Sequence, residues 1–386
     1  MDGPAHLVAR QGDAGALALA LQDSRRDTLA AFAAYESALP HLDVPHQAGL
    51  NPPLWELGHI GWFQEFWLAR NPVRAAGAAA DPSAPRDAPL RPDADALYDS
   101  SRVPHDTRWA LPLPDAERTQ FELEQQLAIT LKLLLDARPD DDALYFFRLA
   151  LLHEDMHHEA ALYMARGLGL TIDDARWEVP SLPDPTAPIA FEPGPWTLGS
   201  ADEAGFVFDN ELRAQRVDLP ATTIDAQVVR WAEYLPFLDS SAGVNARAPR
   251  YLRRDGSRWQ QWRNGRWSAL DTTQPACHLT QQEALAWCDW AGRRLPTEAE
   301  WERAALSRPE AFRWGDVWEW TASPFAPFVG FKPHPYRDYS APWFDGRPVL
   351  RGASFLTQPR MRHPRYRNFF ESHRNDLPAG FRSCAR

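Results

Sequence analysis

The 386-residue sequence predicts an α+β chain of more than one domain: a helical bundle in front, then an irregular region of short strands. Three observations predict it. Apolar residues recur at helical spacing in four long segments before residue 170. Beyond that point the prolines and tryptophans, 35 and 17 in the whole chain, grow denser and the periodic runs shorten. Between Thr171 and Pro195, prolines, Asp and isolated aromatics interrupt both patterns, as a linker does.

The first helix is expected over 13–38, where Leu17, Leu21, Leu29 and Phe32 recur among polar residues until Pro40 stops it. Residues 41–53 form a loop whose closing prolines pre-set the next helix. That helix, 54–70, carries Trp55, His59, Trp62, Phe63, Phe66 and Trp67. His59 shares a face with Trp55, Trp62 and Phe63, a setting in which a satisfied core histidine is the commoner reading. Residues 71–114, rich in Pro, Ala and Asp, read as a long irregular connection of the functional or disordered kind. Helical periodicity returns at 115–137 and 141–168. Four such helices make an antiparallel bundle.

The last of them carries His153-Glu154-Asp155-Met156-His157. Two histidines four apart project from one helix face and can chelate one metal ion. The block also matches H-E-x-x-H, the pattern of zinc peptidases, for which Glu178 is the available third ligand. The plain alternative is a solvated helix face, a reading that also covers Glu154 and Glu159. Metal sites in bundles are built from facing helices, which makes His59 the third candidate ligand.

Past the linker, 196–199, 206–211 and 216–219 read as short strands and turns. An amphipathic helix is expected over 281–291, and Thr297 is placed to cap another. The formal charge of -11 argues against non-specific nucleic-acid binding. No run of eighteen apolar residues marks a membrane span. The start, Met1-Asp2-Gly3-Pro4, shows no basic-then-apolar leader, so a cytoplasmic location is expected. Cys277, Cys288 and Cys384 are too few and too unevenly spaced for a disulfide framework, and are read as reduced.

Leu54-Trp55-Glu56-Leu57-Gly58-His59-Ile60-Gly61-Trp62-Phe63, taken with His153 and His157, resembles the DinB-like four-helix bundle of the ergothioneine-type sulfoxide synthases. The back half resembles the formylglycine-generating-enzyme-like fold, an irregular α+β domain related to C-type lectins. Its marks here are Phe208-Asp209-Asn210-Glu211, Arg294-Leu295-Pro296-Thr297-Glu298-Ala299-Glu300-Trp301, Val317-Trp318-Glu319-Trp320-Thr321, Leu350-Arg351-Gly352-Ala353-Ser354 and Gly380-Phe381-Arg382. The resemblance covers nearly the full length and divides the chain into a bundle (1–175), a linker (176–195) and a second domain (196–386).

The resemblance implies a non-haem Fe(II) held by His59, His153 and His157, with O2 as co-substrate. It implies bond formation at the imidazole C2 of hercynine with a sulfur or selenium donor. In the family an Asn and an aromatic border the trimethylammonium group, and here these positions are Asn368 and Phe369. An Asp and a second Arg hold the amino-acid part of a thiol donor; here they are Phe370 and Arg374. The family's Gln before the last histidine is Met156. Its catalytic tyrosine aligns with Phe328, leaving Tyr336 or Tyr339 as the nearby proton donor. Arg108 is a sugar-side contact in this reading. An apolar Phe370 leaves a donor ammonium without a partner, at a cost of several kcal/mol. That fits the selenoneine-forming members of the family, which take a selenosugar. The alternatives are an ergothioneine-type sulfoxide synthase using cysteine or γ-glutamylcysteine and, in another class, a metal-free lectin-like binding module. A formylglycine-generating oxidase needs a late cysteine pair, and only Cys384 is there.

Overall fold

The computed structural model describes residues 4–201, 205–243 and 248–386; Met1–Gly3, where a leader would begin, lie outside them. The front of the chain is helical. A short α1 (Ala5–Gln11) precedes α2 (Ala14–Ala38), whose first turn is capped by the Asp13 carboxylate accepting from the Ala16 N–H. Helix α3 (Pro53–Gln64) starts on a proline at its first position and ends in a π-helical turn, Glu65–Ala69. Helix α5 (Ala116–Leu135) is capped by Asp115 and α6 (Asp141–Leu168) by Asp140. Helix α6 stops at Gly169, whose φ of 77° suits a residue without a Cβ.

The connection 71–114 is ordered, contrary to its irregular composition. It contains α4 (Ala94–Tyr98), buries Leu97, Tyr98 and Val103, and is tied back to the bundle by an Arg70–Asp95 ion pair of 2.6 Å. Aspartates that suggested a loop serve there as turn and ion-pair partners.

The second region is α+β. One sheet runs β1 (Ile189–Phe191), β4 (Thr222–Ile224), β13 (Cys384–Ala385) and β8 (Arg293–Arg294), in that spatial order. Strand β1 thus falls within the stretch read as linker. A second sheet runs β11 (Asn368–Phe369), β10 (Pro348–Gly352), β9 (Trp318–Pro324) and β12 (Ala379–Gly380), with only β12 and β9 parallel. Strands β2 (Gly194–Leu198) and β3 (Gln215–Leu219) pair by themselves, and β5 (Leu252–Asp255), β6 (Arg258–Arg263) and β7 (Arg266–Ala269) form a meander. The segment 206–211 is not a strand but an extended stretch entering a 3₁₀ turn at Asp209–Glu211. Helices α7 (Trp231–Asp239), α8 (Gln281–Trp290) and α9 (Glu298–Ser307) complete the region, with Thr297 capping α9.

Strands this short carry few ladder bonds, and buried ion pairs take their place. Arg382 grips Glu319, which also accepts from the Trp301 indole; Arg351 pairs with Glu302, and Arg367 with Glu298. All six charged side chains are buried, so loss of one partner strands a charge and costs about 3–5 kcal/mol. The two regions share one apolar core, in which Trp55, Phe146 and Leu149 of the bundle join Trp318, Leu350 and Phe381. Polar contacts cross as well: Arg10 forks onto Glu211, and Arg360 onto Asp155.

Candidate metal centre and adjoining cavities

The i, i+4 spacing on α6 places His153 and His157 one turn apart, and α3 packs against that turn with His59. One ligand atom from each of the three lies within 4.8 Å of the other two. Ring centroids are 5.2 Å (His59–His153), 4.9 Å (His59–His157) and 4.5 Å (His153–His157) apart.

Their neighbours decide the tautomers. Nδ1 of His59 lies 2.8 Å from the Tyr98 carbonyl, an acceptor only, so this nitrogen carries the proton and Nε2 keeps its lone pair. Nδ1 of His157 lies 2.5 Å from Oε2 of Glu56, with the same consequence. Nε2 of His157 then faces Nε2 of His153 at 3.2 Å, a gap in which a proton or a metal ion must lie between two nitrogens. Burial pushes the His59 imidazole down to about 3 and His153 well below its ordinary value, which keeps both neutral. Burial would raise the Glu56 carboxyl, but His157 beside it holds it lowered, as an anion. Two buried neutral imidazoles and a half-buried third, with His59 and His157 oriented by hydrogen bonds at the far nitrogen, fit a divalent transition metal.

Aromatic packing sets the ring planes. Phe63 lies flat on His153, centroids 3.5 Å apart and 5° from parallel, and Trp55 stacks on His59 at 4.9 Å. The face of α3 read as apolar core is therefore both core and ligand support.

A cavity of about 170 Å³ opens beside His157, lined also by Met156, Glu159, Tyr163, Trp318, Tyr366, Asn368 and Phe370. Side chains alternate along the extended chain from β11 into the residue after it, and Asn368 and Phe370 turn to this cavity. Phe369, expected beside the trimethylammonium group, stacks on Phe325 at 4.2 Å and is not among the residues lining this cavity. Arg374 lies 5.1 Å over the Phe370 ring and forks onto Asp376 with two bonds of 2.6 Å. It lines a larger cavity of about 420 Å³ with Asp376, Arg250 and Tyr251, and Tyr163 stands in the wall of both.

Phe328 is 5 % exposed and lies in the core of the second region under the Arg367 guanidinium, 4.1 Å from its ring. It does not face the histidines, because a buried Arg367–Glu298 pair needs that ring as its cover. Tyr336 stands edge-on to Phe63 at 5.0 Å and to His153 at 6.3 Å. Tyr339 stacks on Phe208 and donates to the Tyr366 hydroxyl (3.0 Å), which points at the Met156 sulfur at 3.8 Å. Burial pushes all three phenols up, so they remain protonated.

Arg108 lines neither of these two cavities. Its guanidinium lies 3.7 Å over the Trp55 ring and donates to Oδ1 of Asn51. Glu154 and Glu159 are buried rather than solvated. Glu154 is locked to Arg25 at 2.8 Å, away from any base role, and exposed Glu178 pairs with Arg263. His158 turns to Asp174 and Arg176. Burial pushes the thiols of Cys277, Cys288 and Cys384 up to about 12, leaving them unreactive. In the sequence Glu56, Asn51 and Trp318 carry no assigned site role and Glu159 reads as solvated; Glu56, three residues before His59 on one helix face, carries a local signal.

Comparison with known proteins agrees with this layout. The family model for the sulfatase-modifying factor enzyme 1-like domain matches residues 180–316. A hercynine oxygenase of Mycolicibacterium smegmatis is 30 % identical over 455 aligned residues, covering 97 % of this chain and 99 % of the relative. That of Mycobacterium tuberculosis is 29 % identical, covering 86 % and 90 %. The formylglycine-generating enzyme of Bos taurus is 29 % identical over 34 % of this chain and 43 % of its own. Because the hercynine oxygenase match spans both the helical and the α+β region, the chain belongs to the hercynine oxygenase family, of the ergothioneine sulfoxide synthase type.

Proposed function

We propose that this chain is an Fe(II)- and O2-dependent oxidoreductase that joins a selenium donor to C2 of the hercynine imidazole, with a selenosugar as the preferred donor. The observation that carries the reading is the convergence of His59, His153 and His157 beside a cavity walled by aromatic rings and one carboxylate. Iron held by these three histidines would activate O2 and leave open positions for donor and acceptor, whose joining would supply electrons for its reduction. A lectin-like module without metal has no use for three converging imidazoles, two of them fixed in one tautomer by hydrogen bonds.

The protein's own residues do the rest. The Tyr98 carbonyl and Glu56 hold the ligand nitrogens ready. Trp318, Tyr366 and Phe370 offer ring faces to a trimethylammonium group, and Glu159 an opposite charge. Asn368 offers an amide to the imidazole end. Tyr336, beside His153, holds the proton for reduced oxygen.

Two features favour a donor without an amino-acid head group. Phe370 gives an ammonium no partner. Arg374 is already neutralised by Asp376, so a donor carboxylate would have to compete with a two-bond ion pair. The tyrosine missing at 328 is weaker support for the selenium reading, since Tyr336 stands edge-on to His153 and is our proposed proton donor. That same tyrosine, with the kinship to hercynine oxygenases, favours the second reading: an ergothioneine-type sulfoxide synthase acting on γ-glutamylcysteine or cysteine. No helix among the described residues is long and apolar enough to cross a membrane.

The test is anaerobic loading with Fe(II), then O2, hercynine and either a 1-seleno-sugar or γ-glutamylcysteine, with products weighed by mass spectrometry. A kcat/KM at least 100-fold higher for the selenosugar is expected. Comparable values assign the chain to the ergothioneine-type reaction.

A further inference from the structure

Two loops far apart in sequence are zipped together outside the metal-site end of α3. Nε2 of His105 bonds the Leu50 carbonyl (2.8 Å), and the Trp109 indole donates to the Val44 carbonyl (3.0 Å). Between these ties, Arg108 reaches inward along two routes. By the first, it donates to Oδ1 of Asn51 (2.8 Å), Nδ2 of Asn51 donates to Oε1 of Glu56 (2.5 Å), and Oε2 of Glu56 accepts from Nδ1 of His157 (2.5 Å). By the second, it lies 3.7 Å over the indole of Trp55, which itself stacks on His59 at 4.9 Å and 8°.

We propose that Arg108 and Asn51 are positioning residues for the metal site, presetting His157 and His59 from a single outside clamp before any metal arrives. The inference rests on the three-histidine reading above. The chemistry of the first route admits one arrangement. A guanidinium only donates, so the Asn51 oxygen must face it, and the amide nitrogen is thereby turned to Glu56. One Glu56 oxygen is occupied in this way, which leaves the other for His157 and fixes the carboxylate plane. His157 then keeps its proton on Nδ1 and its lone pair on Nε2, toward His153 and His59. Along the second route a cation over the indole face holds Trp55 flat, and Trp55 sets the plane of His59. The connection 71–114 is thus joined to two of the three ligands through side chains that touch neither metal nor substrate.

The experiment uses the full chain, with Co(II) as the probe metal and its affinity read by visible absorption against a competing chelator. Long-range ¹H–¹⁵N spectra of the metal-free protein report which nitrogen of His157 holds the proton. Wild type should bind Co(II) and show His157 protonated at Nδ1. Asn51→Ala and Arg108→Met should weaken Co(II) binding by about 10–100-fold, the usual cost of removing an outer partner of a ligand. Both should turn His157 into a mixture of tautomers. Arg108→Lys keeps the charge without the planar fork and should fall between; it carries the test if Arg108→Met fails to fold. A part played only in folding would lower thermal stability while leaving tautomer and affinity alone. Folded variants with wild-type affinity and an unchanged tautomer overturn the inference. Absence of Co(II) binding by wild type instead overturns the three-histidine reading itself.

Discussion

Glu159, on the bundle helix that carries His153 and His157, accepts the indole N–H of Trp318 from the second region at 2.8 Å. The same oxygen also accepts from the hydroxyls of Ser354 and Thr357, at 2.6 and 2.9 Å. One buried carboxylate therefore joins the two regions at the wall of the cavity beside His157. Divided at this seam, the chain would lose a shared core as well as a site. Separately produced 1–175 and 190–386 should each bind no hercynine by calorimetry and show no turnover. Full-affinity hercynine binding by 190–386 alone would contradict a cavity built from both regions.

The charge on Glu159 should matter more than its shape. Burial pushes the Glu159 carboxyl up, against the three donors that favour its charged form; Glu159→Gln keeps an acceptor for Trp318 but removes the anionic charge, and a charge-assisted contact is worth about 1.5–3 kcal/mol. Its KM for hercynine should rise about 10–100-fold while iron content stays at the wild-type level. An unchanged KM would place the quaternary ammonium group elsewhere.

Removal of a ligand should be more drastic. His59→Ala, His153→Ala and His157→Ala should each lose most bound iron, measured by elemental analysis, and all turnover. His59 is the most informative of the three, because it comes from a different helix than the i, i+4 pair. Full iron and full activity in His59→Ala would reduce the centre to two histidines.

Tyr336→Phe should retain iron yet lower kcat about 100-fold, within the range that a positioned proton donor contributes. Burial raises the Tyr336 phenol, so kcat should not fall through its ionisation between pH 7 and 9. A kcat within twofold of wild type would move the proton donor to the Tyr339–Tyr366 hydroxyl pair.

Several buried histidines should make the metal-free protein sensitive to acid. Burial pushes His59 and His278 down to about 3, and His363 is pushed down as well. An unfolded chain takes up these protons near 6.5, whereas the folded one refuses them until far lower pH. The unfolded state thus binds more protons below 6.5, so stability is intact above that pH and is lost as pH falls toward 3. At pH 5.5 the loss is about 1 kcal/mol per imidazole. Thermal unfolding of metal-free protein should shift down by several degrees between pH 7 and 5.5. A flat Tm over that range would mean the folded histidines accept protons.

Local chemistry was sufficient for much of this protein. Helical periodicity located α2, α5, α6 and α8 nearly to the residue, and Thr297 the start of α9, because a cap and a 3.6-residue stripe are read over one or two turns. The pairing of His153 with His157 needed only the helix period. Tertiary structure decided the rest. Strand β11 is two residues long, too short to show alternation in the sequence, so packing turned Phe370, just past its end, to the cavity and Phe369 to Phe325. Phe328 aligned with a catalytic position yet serves as the cover of a buried ion pair, while Tyr336 stands by His153. Arg108 and Glu56 lie 52 residues apart and meet the same metal site through Asn51. Such contacts depend on which faces pack together, and packing is settled by the whole core rather than by any window of sequence.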